Sequence, residues 1–255
     1  MLDDRPGSNA AVSVTRPGPL LVYAHVRASA DASDLTGLRV LLAADLLSRS
    51  AELGGLQVLA ARAFTGESEW KAVVERAAVA LGIHPPVAAA DLAGVRPDDP
   101  AVVHVADEDA AGEDELRGIV ISAAAARLAP DAWPGPAVGA GVAGGQDPLA
   151  ARLALMSRPR HEPAELTASV LADAARTLGE WRRGVATWAQ SPSGAIPGPT
   201  AARLREAFGN LDIHAVVALL DGLAADETVP PGPRFETFVY ADRVLGLDLP
   251  REIGR

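Results

Sequence analysis

The chain contains no cysteine and only one lysine, Lys71. Without cysteine it can form no disulfide, no thiolate zinc site and no thiol nucleophile, so any metal would fall to the five histidines and the carboxylates. Long apolar runs are also missing: none reaches the roughly 18 to 20 residues that a membrane span requires. Met1 to Pro19 is polar and proline-containing rather than basic and then apolar, which predicts a flexible leader (residues 1–19), no membrane partner and a soluble, cytoplasmic protein. Basic charge is short as well, with 23 Lys and Arg against 33 Asp and Glu and a net charge of −10. A polyanion is normally met by a basic stripe that displaces counterions, so nucleic acid is not an expected partner. The densest basic group is Arg152, Arg158, Arg160, Arg176, Arg182 and Arg183, which reads either as a contact for an anionic partner or as solvated arginines near helix ends.

What is present is ample core material. Hydrophobic residues make up 49% of 255 residues, enough for one large domain with a smaller one appended. Leu20 to Val26 is a short apolar run suited to a buried parallel strand. Asp34 to Leu53 carries Leu38, Leu41, Leu42, Leu46 and Leu53 at helical spacing, with Asp34 as its cap and Gly54-Gly55 after it. A second strand over Leu56 to Ala61 and a second helix over Gly66 to Leu81 follow, the helix setting Trp70, Val73, Val74, Ala77 and Leu81 on one face. Ala101 to Val105 and Gly118 to Ser122 supply two more strands, and strand-helix alternation favours a parallel sheet with right-handed crossovers. After a Pro/Gly/Ala segment, Ala129 to Gln146, five helical patterns run over Asp147–Ser157, Ala164–Trp188, Pro199–Phe208, Ile213–Leu223 and Arg234–Leu245. The expected architecture is an α/β Rossmann-like domain over residues 20–145 and an α-helical domain over residues 146–255.

Three collinear segments carry a family resemblance. Tyr23 to Arg49, with the loop Asp31-Ala-Ser-Asp-Leu-Thr-Gly37, resembles the first strand, signature loop and helix of cysteinyl-tRNA synthetase and of the mycothiol-pathway cysteine ligase. Val102 to Glu108 is similar to the strand and turn that hold the family's His-His-Glu run. Asp147 to Met156, Glu180-Trp-Arg182, Phe208 to Asp212 and Phe235 to Leu249 are similar to its helical stem-contact region. The resemblance implies a class I synthetase (HUP-type) fold, and the Ala/Arg/Gly-rich, lysine-poor composition suits an actinobacterial source.

The same resemblance implies a lost activity. The family's two signature-loop histidines, which stabilise charge on the ATP phosphates, fall on Asp34 and Gly37. A second loop that supplies lysines to those phosphates has no counterpart, because the one lysine lies far away in the sequence. Of the family's four zinc ligands, the first falls on His25, the third on Ala106 and the fourth on Ala110, while the second is deleted after Pro86. A competent ATP-dependent aminoacyl ligase is therefore not expected, and no catalytic residue, metal or cofactor is assigned. The expected function is that of a pseudoenzyme, a non-catalytic binding or interaction module. The alternative is an enzyme of specialised metabolism that reuses the old aminoacyl-adenylate pocket for a ligase or transferase reaction. Amino acid, nucleotide, protein partner and homodimer all stay open as what it binds.

The ligand-binding candidates are His25 at the end of the first strand, then Asp31, Ser33, Asp34, Thr36 and Arg39 around the strand-to-helix turn, and Glu108 in an acidic turn. The competing readings are a histidine satisfied by a neighbour and simple capping by Asp34. Asp107, Glu108 and Asp109, with Glu113, Asp114 and Glu115, read as a solvated charged turn or as a seat for a hard cation. Gly139 to Gly144 spells G-x-G-x-x-G, but Pro134, Gly135 and Pro136 precede it instead of a strand, which argues against a dinucleotide site. Trp181 and Trp188 lie on an apolar stripe that predicts helix packing.

Overall fold

A computed structural model of the chain describes residues 19–27, 29, 31–65, 68–84, 86–88, 102–111, 116, 119–132 and 147–254. Most of the expected leader, the Gly139 to Gly144 run and the acidic residues 113–115 lie outside the described residues.

The first half alternates strand and helix in the expected order. Strands β1 (Leu20–Arg27), β2 (Val58–Thr65), β3 (Val87–Ala88), β4 (Val102–Asp107) and β5 (Ile119–Ala123) form one sheet in the order β3-β2-β1-β4-β5, with every neighbouring pair parallel. This is a Rossmann-like α/β arrangement. Its order reverses at β1, whose two neighbours are β2 and β4, so the crevice beyond the C-terminal ends of β1 and β4 is the switch point where such sheets bind ligands. Helix α1 (Thr36–Leu53) returns the chain from β1 to β2, and α2 (Ser68–Ala80) follows β2. Along β1, Leu20, Val22, Ala24 and Val26 enter the main core with Leu38, Val40, Leu41 and Leu42 of α1. The alternate residues form the other face of the sheet, where Tyr23 packs with Ala61 and Val102 in a small separate cluster.

Helix α3 (Glu108–Ala111) follows β4 directly. The second half holds α4 (Pro148–Met156), α5 (Ala168–Trp188), α6 (Gly198–Gly209), α7 (Ile213–Ala225) and α8 (Pro231–Leu245). Asp147 caps α4 by accepting from the Leu149 amide, Thr167 caps α5, Asp212 caps α7, and Gly246 ends α8 with φ of 61°. The Trp stripe is core, as expected: Trp181 and Trp188 both meet the ring of Phe238 on α8, with centroids 5.6 and 5.1 Å apart.

One expectation needs correction. The helix expected to begin at Ala164 begins at Ala168, and Ala164–Leu166 is a strand, β7, paired parallel with β6 (Ala126–Leu128). The physical reason is Thr167, whose hydroxyl accepts from the Val170 amide and starts the helix after it. The β6-β7 pair joins the two halves, and a single core cluster runs from the sheet through α1 into α4–α8.

Two arginines lock that junction, correcting the view of them as solvated. Arg152 is fully buried and donates to Asp45 (2.6 Å) and to the carbonyls of Leu81 and Leu245. Arg182, 5% exposed, donates to Asp147 and to the carbonyls of Leu247 and Asp248. Arg176 keeps to the surface, paired with Asp173 and Glu180. No helix among the described residues is long and apolar enough to cross a membrane.

Candidate functional site

At the switch point the C-terminal ends of β1 and β4 face the N-terminus of α1. A cavity of about 360 Å³ opens there, lined by Arg27, Ser29, Asp34, Thr36, Ala125 and the acidic residues Asp107, Glu108 and Asp109. Among the described lining residues four carboxylates thus meet one guanidinium, and that guanidinium is engaged, at 3.5 Å from Asp107 and 3.9 Å from Asp109. The arginine and Asp109 are largely solvent-exposed, so these contacts orient more than they stabilise.

The turn between β1 and α1 is built from the polar residues the sequence singles out. The Asp31 carboxylate accepts from the Ser33 amide (2.9 Å) and hydroxyl (2.7 Å) and pairs with Arg127 on β6 (2.9 Å). Those Ser33 hydrogen bonds, with Arg127 adding to them, lower the Asp31 pKa. Asp34 accepts from the Thr36 amide (2.8 Å), so it caps α1 from one residue before the N-cap, Leu35. The Thr36 hydroxyl accepts from the Ala126 amide (3.2 Å), and the Ser33 carbonyl accepts from Leu128. The turn is therefore stapled to β6 at several points. Gly37 fits a close approach: a Cβ there would lie 3.0 Å from the Val26 side chain and 3.1 Å from the Arg27 carbonyl, so a larger residue would have to push its neighbours aside.

Of the seven sequence candidates, the cavity gathers Asp34, Thr36 and Glu108. Asp31 and Ser33 shape the turn beside it. Arg39 points elsewhere: it is 3% exposed and donates to the carbonyls of Ala124, Ala125, Pro159 and Glu162, and burial lowers its pKa. It holds the 159–162 segment against α1 instead of facing the cavity.

His25 is likewise outside the cavity lining. Its Nε2 lies 2.9 Å from Nδ1 of His104, one strand over, and the Tyr23 ring stacks beside both. Burial, and then the neighbouring His104, lower the His25 pKa to about 4. A histidine satisfied by a neighbour is what the structure contains. Among the described residues there is no group of three or more His, Asp or Glu side chains able to hold a metal ion.

Arg27 and Ser29 were not singled out from the sequence. The signal available was position: Arg27 is the last residue of β1, on the same face as Tyr23 and His25, at the strand end where ligands sit. No family model matches the chain, and no curated protein matches it.

Proposed function

We propose that this chain is a relative of the cysteine-activating class I synthetases that has given up adenylation and serves as a binding module. The parallel β3-β2-β1-β4-β5 sheet followed by packed helices is the arrangement the resemblance implies, and it supports that ancestry. The observation that carries the functional reading is the charge of the switch-point cavity. Asp34, at the position the resemblance gives to a phosphate-stabilising histidine, shares the lining with Asp107, Glu108 and Asp109. Each carboxylate near 4 Å from a phosphate oxygen opposes it by about 1 kcal/mol in water, and by about 4 kcal/mol at the effective dielectric of a protein surface. Among the described lining residues one guanidinium, Arg27, opposes them, and it is shared between Asp107 and Asp109. A triphosphate is disfavoured on these terms, while an amine-bearing or neutral polar ligand is admitted. At about 360 Å³ the space suits a molecule the size of an amino acid.

The test is a thermal-shift screen of the full chain with ATP, cysteine, other amino acids and a non-hydrolysable cysteinyl-adenylate mimic, with calorimetry on each hit. Ligands of the native state raise its melting temperature by mass action. Stabilisation by an amino acid or amine, lost in Asp34→Asn and Glu108→Gln, is the expected result. Stabilisation by ATP alone would contradict the reading.

A further inference from the structure

A second cavity, of about 310 Å³, lies further along α1, between that helix and the second half of the chain. Its floor is apolar: Leu42, Ala43 and Leu46 of α1, with Leu155 and Met156 of α4. Its rim is basic, with Arg158, Arg160, His161 and His214. Arg160 donates through Nη1 to the Ser122 carbonyl (3.0 Å), which anchors the guanidinium where it lines the cavity. Arg158 and His161 have no hydrogen-bond or ion-pair partner among the described residues. His214 Nδ1 donates to the Ser157 carbonyl (2.8 Å), which fixes the ring on the rim. Among the described lining residues the one carboxylate is Asp212, which caps α7 by accepting from the Ala215 amide and whose charge also acts on the Arg160 guanidinium.

The cavity wall is also built at a conformational cost. Leu211, 7% exposed, adopts φ of 53° after α6, a place where glycine is the usual residue. Its apolar side chain completes the wall. Arg39 holds the rim segment in place through the Pro159 and Glu162 carbonyls.

We propose that this cavity is a binding site for a small organic acid with an apolar body, the carboxylate meeting Arg158, Arg160 and His161 and the body lying on Leu42, Leu46 and Met156. The site is separate from the switch-point cavity and its occupant has the opposite charge.

The test titrates the full chain with hexanoate and phenylacetate, and with the matching neutral amides, by calorimetry and by amide chemical shifts. Saturable binding of an acid with Kd below about 1 mM is expected, at least about tenfold weaker for its amide. Arg158→Gln combined with His161→Gln, both exposed, should weaken the acid at least about fivefold with the melting temperature unchanged. Ala43→Leu, which fills the floor, should abolish binding, and Asp34→Asn should leave it intact. Equal binding of acid and amide, binding indifferent to the double variant, or no saturable binding of either acid up to about 10 mM would overturn the proposal.

Discussion

At the scale of single residues, buried polar groups decide more than exposed ones. Asp45 sits 4% exposed inside α1 and receives Arg152 (2.6 Å), Arg49 (2.9 Å) and the His84 amide (3.1 Å). Arg152→Ala would leave Asp45 with Arg49 and the His84 amide but take away its fully buried partner and the donor to the Leu81 and Leu245 carbonyls, so it should cost about 3 to 5 kcal/mol in urea unfolding. Arg176→Ala, whose partners are exposed, should cost less than about 1 kcal/mol in the same experiment. His25 gives a pH signature. Its pKa of about 4 in the folded chain lies below the ordinary unfolded value of about 6.5, so the native state favours the neutral ring. That contribution is complete above about pH 6.5 and is lost as the pH falls through 4. His25→Gln should flatten the loss of stability between those pH values, measured by denaturant titration at each pH. From the sequence, the polar identity of the β1-α1 turn was legible, because Asp, Ser and Thr before a helical pattern have few other uses. The direction of Arg39 was not, since its acceptors are backbone carbonyls more than 80 residues away.

At the scale of elements, hydrophobic period was the reliable signal. β1 and α1 were readable because Leu20 to Val26 is a largely apolar run of strand length and the 18-residue helix repeats its apolar spacing several times. β3, β6 and β7 were missed because two or three residues cannot display a period, and the partner that makes each a strand is distant in sequence. Close approaches between elements escape sequence reading for the same reason. Gly232 opens α8 against the 192–194 segment, where an added Cβ would lie 2.2 Å from the Pro192 carbonyl oxygen. Gly232→Ala should therefore destabilise the chain by about 1 to 3 kcal/mol, whereas Gly222→Ala, with open space around it inside α7, should be neutral or stabilising. Leu178 on the buried stripe of α5 is 1% exposed, and Leu178→Ala should cost about 2 to 5 kcal/mol. Urea unfolding followed by circular dichroism separates these three variants.

At the scale of the whole molecule, the sheet supplies a switch point and the packed helices hold α1 against it. Alternating strands and helices made the parallel sheet legible, but not which charges would share the crevice. Arg27 and Asp107 meet because β1 and β4 are neighbours, a pairing of residues 80 apart in the chain. Under the proposed function, the carboxylates gathered there oppose phosphate chemistry and serve ligand binding instead. The most direct measurement is cysteine-dependent exchange of pyrophosphate into ATP by the full chain with Mg²⁺. No exchange above the protein-free blank is expected, and none in Asp34→His either, since one added donor leaves three carboxylates in the lining. Exchange by the unaltered chain that requires cysteine and disappears in Thr36→Val would contradict the proposed function.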